Sequence, residues 1–527
     1  SIFDGGTLGF YQSNDGSTGN VRDLQISGTT FRNFTDTAVF AEEIRDSAID
    51  DNIFEDNRRD FTLFKAYTTA GTPVENLQII NNEMTNSAQT AVIIYVTGSG
   101  LGSGIDISNN TITSDVGLLL DERGKIDIYL EATESHSPIN ITENSITFSG
   151  TFAAAEAVYG IKVRGGSDSI NIERNTLDGG GVGSNGGTPL TSGIYVRTND
   201  AGMGAISSSA VINVLNNFIT GFDAAVSVHD QVSGQFGGLT AGAQLNVNNN
   251  SIAGNAAGIT SGTGGLVNAS NNWWGPETET TIAGLMTGGV DFTSYLDNGT
   301  DTDGGTAGFQ GNFNVVNVTA LGEQTGPAGR IEEALQAVAP GGTVKINSGT
   351  YTGNVDATVT GVNKNVTLAP GNSPGQVVIN GDLILNGDDF LDIEINGQTA
   401  GSGYDQFIVN GAVVLNDAAL NLTNTYTPVD GDKFTLIDND AADGITGEFI
   451  GFPEGHEFTN FLGSGLNAYL TYVGGNGNDV VIHMEDSTPE VTLPANGTTD
   501  HYSLEIDGTN VVIKDVATGD IISSTPL

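Results

Sequence analysis

The feature that most constrains this chain is a tripeptide, Asn-x-apolar, which recurs along the first half and follows a short apolar strand each time. The clear copies are Asn82-Glu83-Met84, Asn110-Thr111-Ile112, Asn144-Ser145-Ile146, Asn175-Thr176-Leu177, Asn217-Phe218-Ile219, Asn250-Ser251-Ile252 and Asn272-Trp273-Trp274. Thr29-Thr30-Phe31 and Asn52-Ile53-Phe54 are weaker, earlier copies. A unit that repeats every few dozen residues predicts stacked coils instead of a single globular core.

A second strand type recurs between these copies. Its members are Val92-Ile93-Ile94-Tyr95, Ile161-Lys162-Val163-Arg164, Ile194-Tyr195-Val196-Arg197 and Val226-Ser227-Val228-His229, and the last three start 33 and 32 residues apart. Both strand types alternate apolar and polar residues, as strands with one buried face do. Two such strands per repeat predict a parallel β-helix, in which each coil covers the open edge of its neighbour.

We expect the repeated asparagines to be structural. An asparagine tolerates left-handed backbone and bonds to nearby peptide groups, which suits a turn. Stacked copies can also bond to one another along the rod. Trp273 and Trp274 end the repeat, and we expect them to cover the last coil, with a carbohydrate-stacking platform as the alternative.

Composition limits the functions open to this chain. It has 527 residues, with 63 acidic and 17 basic side chains, a net charge of −46 and no cysteine. Nucleic acid and anionic membranes would be repelled, so neither is expected as a partner. The lack of cysteine excludes thiol catalysis and thiolate metal sites, and in an exported protein of this size it favours a bacterial cell surface. Such an acidic surface is either simply soluble or uses calcium.

The second half of the chain predicts more β-helical coils and then a small β domain. Residues 330–339 have the pattern of an amphipathic helix, and Pro340-Gly341-Gly342 stops it. Its apolar side would cap a new β-helix. The predicted domains are a parallel β-helix (1–310), a second β-helical unit with this cap (311–403), a β module (404–485) and a small β domain or truncated module (486–527).

Several motifs resemble those of known bacterial proteins. The Asn-Asn-Trp-Trp-Gly ending, the Asp-rich linker at 297–305 and the Ala-Pro-Gly-Gly-Thr-Val cap resemble the tandem right-handed, pectin-lyase-like β-helix modules of very large bacterial surface proteins. Residues 404–484 resemble the autotransporter-associated β-strand module through Gly-Asp-x-Phe-Thr-Leu-Ile and Gly-Gly-x-Gly-Asn-Asp-Val-Val. The resemblance implies an all-β fold, a right-handed parallel β-helix, exported and displayed as an adhesin, fibre or envelope layer, and it says little about activity.

Two segments are candidate sites for structural Ca²⁺. The candidate ligands are Asp297, Asp301 and Asp303 in the linker and Asn476, Asn478 and Asp479 in the turn 474–482. The linker has turn glycines but lacks the distal Glu of a full calcium loop, so a plain polar linker is the alternative. The turn resembles one copy of the RTX-type calcium nonapeptide, which needs stacked copies, so a strand–turn stop is its alternative.

Polysaccharide lyases and hydrolases with this fold use an acid cluster with a basic side chain, or paired carboxylates. No such cluster stands in the recurring strands. Two aligned stripes are predicted on their outer face instead: Arg164, Arg197 and His229, and beside them Lys162, Tyr195 and Ser227. The stripes are a candidate groove for an anionic sugar, a contact for the acidic face of a neighbouring copy, or plain surface.

Two charge-rich segments lie nearby, at residues 50–60 and 121–127. A run of charges is usually a solvated loop, and we expect that structure for both.

The leading hypothesis is a non-enzymatic structural protein of the bacterial exterior, part of a cell-surface filament, sheath or adhesin. A β-helix with uncovered terminal coils offers edges for self-association. The chain has no transmembrane run or signal peptide and opens within repeat material, so we expect a processed product or a piece of something longer. The alternatives are a carbohydrate-active enzyme, lyase-like or epimerase-like, and a glycan-binding adhesin.

Overall fold

The structure, a computed structural model, describes residues 1–12, 21–42, 44–66, 74–97, 104–115, 124–130, 138–150, 158–165, 169–181, 191–200, 204–230, 239–262, 264–276, 278–358, 364–371, 374–440, 443–485, 502–507, 510–515 and 521–526. It is nearly all β, and its parallel strands stack into a right-handed β-helix, so the predicted fold class is confirmed. Within these ranges no helix has the length and apolar character needed to cross a membrane.

The chain divides into two compact units. Unit 1 contains Ser1–Gly353 and Val359–Leu368, and unit 2 contains Asn354–Thr358 and Ala369–Leu527. The domain boundaries predicted from the sequence at residues 310, 403 and 485 stay predictions.

Each coil of unit 1 carries up to three strands, and the strands of successive coils form three parallel sheets. Sheet A takes the strands that follow the repeated asparagines: Ile53–Glu55, Glu83–Thr85, Thr111–Asp115, Ser145–Ser149, Thr176–Asp178 and Phe218–Thr220. Single bridges at Ser251 and Trp273 continue it. The long strand Thr30–Ala41 pairs with Ile53–Glu55 through its first half, so it opens this sheet.

Sheet B takes the second recurring strand type. Its strands are Arg59–Ala66, Thr90–Thr97, Gly124–Leu130, Tyr159–Gly165, Ser192–Asp200, Ala224–Asp230, Ala257–Thr260 and Met286–Thr287. The second half of Thr30–Ala41 pairs with the first of them, and Ile2–Gln12 pairs along Thr30–Ala41. A short strand, Gly204–Ala205, lies antiparallel to the end of Ser192–Asp200.

Sheet C takes the strands that precede the repeated asparagines. Its strands are Val21–Arg22, Gln25–Ser27, Ile44–Asp50, Glu75–Ile80, Ile105–Ser108, Ile139–Thr142, Ser169–Glu173, Val211–Leu215, Gln244–Asn248, Val267–Asn268 and Val290–Asp291. Alternation along each strand sends every second side chain inward. One inward column is Ile79, Ile107, Ile141, Ile172, Val214 and Val247, all fully buried. Stacked aliphatic side chains of this kind form the core of unit 1.

The left-handed backbone at the repeated turn belongs to a different residue from the one that the sequence suggested. The residue before each repeated asparagine has φ between 54° and 63°, and these residues are Asp51, Asn81, Asn109, Glu143, Arg174, Asn216, Asn249 and Asn271. None of the repeated asparagines has a positive φ. The repeated asparagine is therefore not selected for left-handed backbone, since the residue before it adopts that conformation, and Glu and Arg occur there too.

The tryptophan pair was expected to cover the last coil, but Met286–Thr287 in sheet B and Val290–Asp291 in sheet C follow it. Trp274 is 2% exposed and belongs to the core, whereas Trp273 points to the other side, where a side chain on Gly299 would collide with its indole. Adjacent strand residues face opposite ways, so the two rings cannot form one platform. A short helix that the sequence did not predict, Glu279–Gly284, follows the pair. Tyr295–Leu296 then pairs antiparallel with Val315–Val318.

The predicted cap helix is present as Arg330–Ala337. It packs on the strands Val315–Val318, Thr343–Ile346 and Gly349–Thr352, and its residue Leu335 is buried. Lys364 Nζ donates to three carbonyls at its C-terminal end, at 2.6–3.1 Å, which places a cation where the helix dipole is negative. The strand Thr367–Pro370 follows in the chain.

Unit 2 begins with parallel pairs and ends with antiparallel ones. One parallel sheet contains Val355–Asp356, Leu383–Ile384 and Val413–Val414, a second contains Phe390–Ile395 and Ala419–Asn424, and a third contains Gln376–Asn380, Gln406–Val409 and Lys433–Asn439. The third sheet continues antiparallel through Asp479–Met484, Ala468–Gly474 and Glu457–Phe458, with a 3₁₀ turn at Phe461–Gly463. Tyr502–Asp507, Asn510–Asp515 and Ile521–Pro526 form a separate antiparallel sheet.

Candidate functional site

One corner of unit 1, between sheets C and A, carries a ladder of buried asparagines. The asparagine ladder consists of Asn52, Asn82, Asn110, Asn144, Asn175, Asn217, Asn250 and Asn272, each at most 1% exposed. In each step, Nδ2 donates to Oδ1 of the asparagine in the next coil at 2.9–3.0 Å. The backbone N–H donates to the same oxygen at 2.8–3.1 Å.

The second hydrogen on each ladder Nδ2 is also used. Asn144, for example, donates to the Ile107 carbonyl of the preceding coil at 2.8 Å and to the Thr142 carbonyl at 3.1 Å. Each side chain from Asn52 to Asn250 therefore joins three successive coils and leaves no amide donor unsatisfied, which is the condition for a buried polar network to stabilise a fold. The prediction that the asparagines are structural and bond to one another is confirmed.

The two predicted stripes lie on the outer face of sheet B. Arg164, Arg197 and His229 occupy one register position in successive strands, and Lys162 is aligned with Tyr195 in the neighbouring column. The predicted alignment is therefore present in the structure. Their role as a ligand or partner site stays a prediction.

The stripe is not an open cationic groove, because its best-defined cation is already paired. Arg164 donates from Nε and Nη2 to the two carboxylate oxygens of Asp127, at 3.0 and 2.9 Å. The Asp127 side chain is fully buried, and the Arg164 side chain is 13% exposed. The guanidinium also lies 4.0 Å from the ring centroid of Tyr129, a cation–π contact. An incoming anion would have to displace a bidentate ion pair.

The other members of the two stripes are buried as well, except for His229, which is half-buried. Lys162 is 3% exposed, and its Nζ lies 5.0 and 5.4 Å from the ring centroids of Tyr159 and Tyr195. Those two rings are 4.1 Å apart, and Tyr195 is 3% exposed. Arg197 is 9% exposed. These buried cations contact aromatic rings, which stabilises the outer face of sheet B. Little of their positive charge is accessible to an anionic polymer in solution.

An aromatic column continues the first stripe towards the start of the chain. It consists of Phe64, Tyr95 and Tyr129, whose successive ring centroids are 4.6 and 4.5 Å apart. The Phe40 ring contacts Phe64 at 6.3 Å and the Tyr11 ring at 5.3 Å, but Phe40 and Tyr11 lie in the register column of Lys162. Sequence reasoning missed it, although a signal was present. Phe61-Thr62-Leu63-Phe64 and Ile126-Asp127-Ile128-Tyr129 share the four-residue pattern of the recognised strands, with an aromatic ring where the later copies have Arg or His.

The Asp-rich linker is folded back on itself instead of being an extended spacer. Asp301 Oδ1 accepts from the backbone N–H of Gln310 at 3.2 Å, and Asp303 Oδ2 accepts from Thr306 Oγ1 at 2.7 Å. The Thr306 hydroxyl holds the pKa of Asp303 below its usual range. Asp297 forms an ion pair with Lys345 at 3.0 Å. Protein donors therefore occupy oxygens of all three candidate calcium ligands.

The other candidate ligands lie in the turn before Asp479–Met484. Asn476 is exposed, whereas Asn478 and Asp479 are each 6% exposed. Asn478 Nδ2 donates to the Asp443 carbonyl at 2.9 Å, and Asp479 Oδ1 accepts from the Asn439 N–H at 3.1 Å. Burial raises the pKa of Asp479. In the described part of the chain no three His, Cys, Asp or Glu residues are grouped to hold a metal ion, and calcium binding stays a prediction.

The two charge-rich segments are not simply solvated loops. Asp60 in the first segment, and Lys125 and Asp127 in the second, are fully buried, which corrects the expectation for these residues. Each is next to an inward-facing residue of sheet B, so the alternation of the strand predicts that it faces outward and is exposed. Residues 121–123 lie outside the described residues.

Neither the protein-family models nor the curated proteins contain a match to the chain. The resemblance to modules of bacterial surface proteins therefore stays a prediction from the motifs.

Proposed function

We propose that this chain is a non-enzymatic structural segment of the bacterial exterior, part of a surface filament, sheath or adhesin. The observation that carries the proposal is the asparagine ladder, which runs without a break from the Thr29 N–H to Asn272. A buried network that joins every coil to the next suits a stiff support. An extracellular location is supported by the net charge of −46 and the lack of cysteine.

Self-association is supported by the strand Ile2–Gln12. Among the described residues it pairs with Thr30–Ala41 alone, along one of its two edges. It also exposes apolar side chains, with Ile2 67%, Phe3 45% and Leu8 37% exposed. An exposed, apolar edge of this length is a template for another strand. We therefore propose that rods join through this edge, with calcium as a structural cofactor between acidic surfaces.

The enzymatic alternative has less support. A lyase or epimerase needs an accessible base beside an acid cluster. On the outer face of sheet B, Arg164 is neutralised by Asp127 and Lys162 is buried. A stripe whose cations are already paired or desolvated is better suited to packing than to proton transfer.

Electron microscopy of the purified chain tests the proposal. We expect rods that join as the protein concentration rises in calcium, and shorter assemblies in a calcium chelator. Leu8→Lys should block joining, since it places charge on the exposed edge. Leu321→Lys is the matched control, because Leu321 is also 37% exposed in unit 1, and it should join like the wild type. Single rods at every concentration, with and without calcium, would overturn the proposal.

A second candidate, glycan binding, is favoured by the outer side of sheet C. A groove of about 380 Å³ there has polar lining residues, among them Gln25, Asp46, Asn76, Gln78, Asp106 and Asn140. An amide column continues from Asn140 through Asn171, Asn213 and Asn246, each joined to the previous one by an Nδ2–Oδ1 bond of 2.9–3.0 Å. Amides in line present donors and acceptors to sugar hydroxyls without requiring charge.

A glycan array tests this second candidate. We expect neutral glycans to bind and uronate polymers to be repelled by the acidic chain. Asp106→Ala and Asn171→Ala should each weaken binding, whereas Asn421→Ala, at an exposed amide of unit 2, should not. Absence of binding to every neutral glycan would remove this candidate and leave the rod proposal intact.

A further inference from the structure

One register position at the start of sheet B holds only glycine or alanine, except at two places. In chain order the column is Ala38, Asp60, Ala91, Lys125, Gly160, Gly193, Ala225 and Gly258. Two of the glycines have no room for a larger residue, since a side chain on Gly193 would collide with Ile219 and one on Gly258 with Trp274. An acid and an amine of opposite charge are thus the only large residues in a column built for small ones.

Asp60 and Lys125 stand two coils apart, with Ala91 between them. Both side chains are fully buried. Neighbouring strands are about 4.8 Å apart, so the two backbones are separated by roughly 10 Å, a gap that a lysine and an aspartate side chain span together. The column therefore buries an amine and a carboxyl group on either side of the small Ala91.

Ser87, in the coil between them, holds both groups. Its hydroxyl donates to Asp60 Oδ2 at 2.5 Å, and its backbone carbonyl accepts from Lys125 Nζ at 2.7 Å. Asn57 Nδ2 donates to the other carboxyl oxygen of Asp60, Oδ1, at 3.0 Å. Burial raises the pKa of Asp60 to about 7 and lowers the pKa of Lys125 to about 7. Near neutral pH both groups are therefore accessible in their uncharged forms, a free amine and a carboxylic acid.

We propose that Asp60 and Lys125 are a modification site, at which the two side chains condense into an internal amide bond. The Nζ lone pair attacks Cγ of the protonated Asp60 carboxyl group, and the Nζ–Cγ bond forms. The bond from Cγ to the hydroxyl oxygen breaks, that oxygen leaves as water with a proton from nitrogen, and no oxidant is required. Asn57 polarises the oxygen that stays, and Ser87 holds the oxygen that leaves.

The surroundings favour this step for two physical reasons. Nζ and the carboxyl group both bond to Ser87, which raises their effective concentration above that of free reagents. Burial disfavours the charged pair and, once the released water has left, keeps bulk water from the reverse reaction. The product would link the strand Arg59–Ala66 covalently to Gly124–Leu130, two coils further on. This inference is independent of the proposed function, since it concerns the interior of the rod alone.

The intact mass of the denatured full chain tests the proposal. We expect the wild type to be lighter than its sequence mass by one water molecule, and a branched peptide to contain both Asp60 and Lys125. Lys125→Met removes the nucleophile at similar length and should restore the full sequence mass. Asp60→Asn should lose ammonia instead of water, because the same carbon is attacked. A wild-type chain at full sequence mass after prolonged incubation at neutral pH would overturn the proposal, whatever the variants do.

Discussion

The asparagine ladder of unit 1 and the matching corner of unit 2 join their coils by different means. In unit 2 the residues before the three strands of the first parallel sheet are Asn354, Asp382 and Ala412. The Asp382 N–H donates to Asn354 Oδ1 at 3.0 Å, and the Ala412 N–H donates to Asp382 Oδ1 at 2.9 Å. These are bonds from backbone to side chain. In unit 1 every step adds a bond from one side chain to the next.

The difference teaches what an amide contributes at this corner. An amide both donates and accepts, so each asparagine can accept a bond from one neighbouring coil and donate a bond to the other. A carboxylate only accepts, so Asp382 cannot donate to a neighbouring side chain, and among the described residues of this corner no bond joins one side chain to the next. We infer that the number of coils that a ladder can hold depends on an unbroken run of amides. The predictions below test this difference, from the largest expected effect to the smallest.

Replacing a central ladder asparagine should have the largest effect. Asn144→Asp removes the donors to Asn175 and to two carbonyls and places a charge in a buried corner. We expect a loss of about 3–5 kcal/mol in the free energy of unfolding of unit 1. Urea unfolding followed by tryptophan fluorescence measures it, since both tryptophans, Trp273 and Trp274, lie in unit 1.

The matched control is the same substitution on the outer side of sheet C. Asn140 is half-buried, and its Oδ1 accepts from Asn171, a role that an aspartate oxygen also fills. Asn140→Asp should cost less than about 1 kcal/mol. Equal losses for Asn144→Asp and Asn140→Asp would mean that burial of the amide does not matter.

The next effect concerns the ion pair on sheet B. Arg164→Met leaves the fully buried Asp127 carboxylate without its bidentate partner, and we expect a loss of about 2–4 kcal/mol. Adding Asp127→Asn should recover at least half of that loss, because the uncompensated charge is gone. The same fluorescence assay measures both variants. If the double variant is no more stable than Arg164→Met, the pair does not act as described.

Unit 2 should depend on pH through a buried acid. Burial raises the pKa of Asp405 to about 7, and the nearby Glu394 carboxylate adds to this. A raised pKa in the folded state gives stability that is complete below the unfolded value, about 3.9, and is lost as the pH rises through 7.

We expect the advantage of wild type over Asp405→Asn to fall by about 1–2 kcal/mol between pH 4 and pH 8. Calorimetry measures this difference in the unfolding transition of unit 2, which contains no tryptophan. A constant difference across the range would show that Asp405 does not titrate there.

The smallest effect is expected at an exposed ion pair. Arg32 and Asp4 are 2.8 Å apart, with side chains 42% and 47% exposed. Solvent screens such a pair, so Arg32→Ala should leave the melting temperature of unit 1 unchanged within error. A clear drop would show that surface charges contribute more to this rod than its buried network suggests.

Much of the fold could be predicted from the sequence, because the spacing of the repeats and of the apolar residues determines the coils and their buried face. The Asn-x-apolar repeat gives the coil, and the alternation of residues such as Ile139 and Ile141 gives the buried face. The cap helix also followed from local pattern, with Ile331 and Leu335 on one side. The left-handed turn residue did not, because Arg174 and Glu143 have no preference for that backbone and only the stacking of coils imposes it.

The candidate site was predicted less well, for a physical reason. The alignment of Arg164 with Arg197 depends on spacing and was predicted, whereas the burial of Asp127 depends on what covers the outer face of sheet B. Charge runs usually mark solvated loops, so the pattern around Lys125 pointed the wrong way. Comparing register positions along the whole rod would have revealed Asp60 and Lys125 as exceptions among glycine and alanine.

Hydrogen exchange of Asn144→Asp against the wild type tests the central claim most directly, because it reads the ladder coil by coil. If the ladder is one connected network, amide protection should fall in the neighbouring strands Ile105–Ser108 and Ser169–Glu173 as well as in Ile139–Thr142. Loss of protection confined to the substituted coil would contradict the account, since it would mean that each coil is held by its own local bonds.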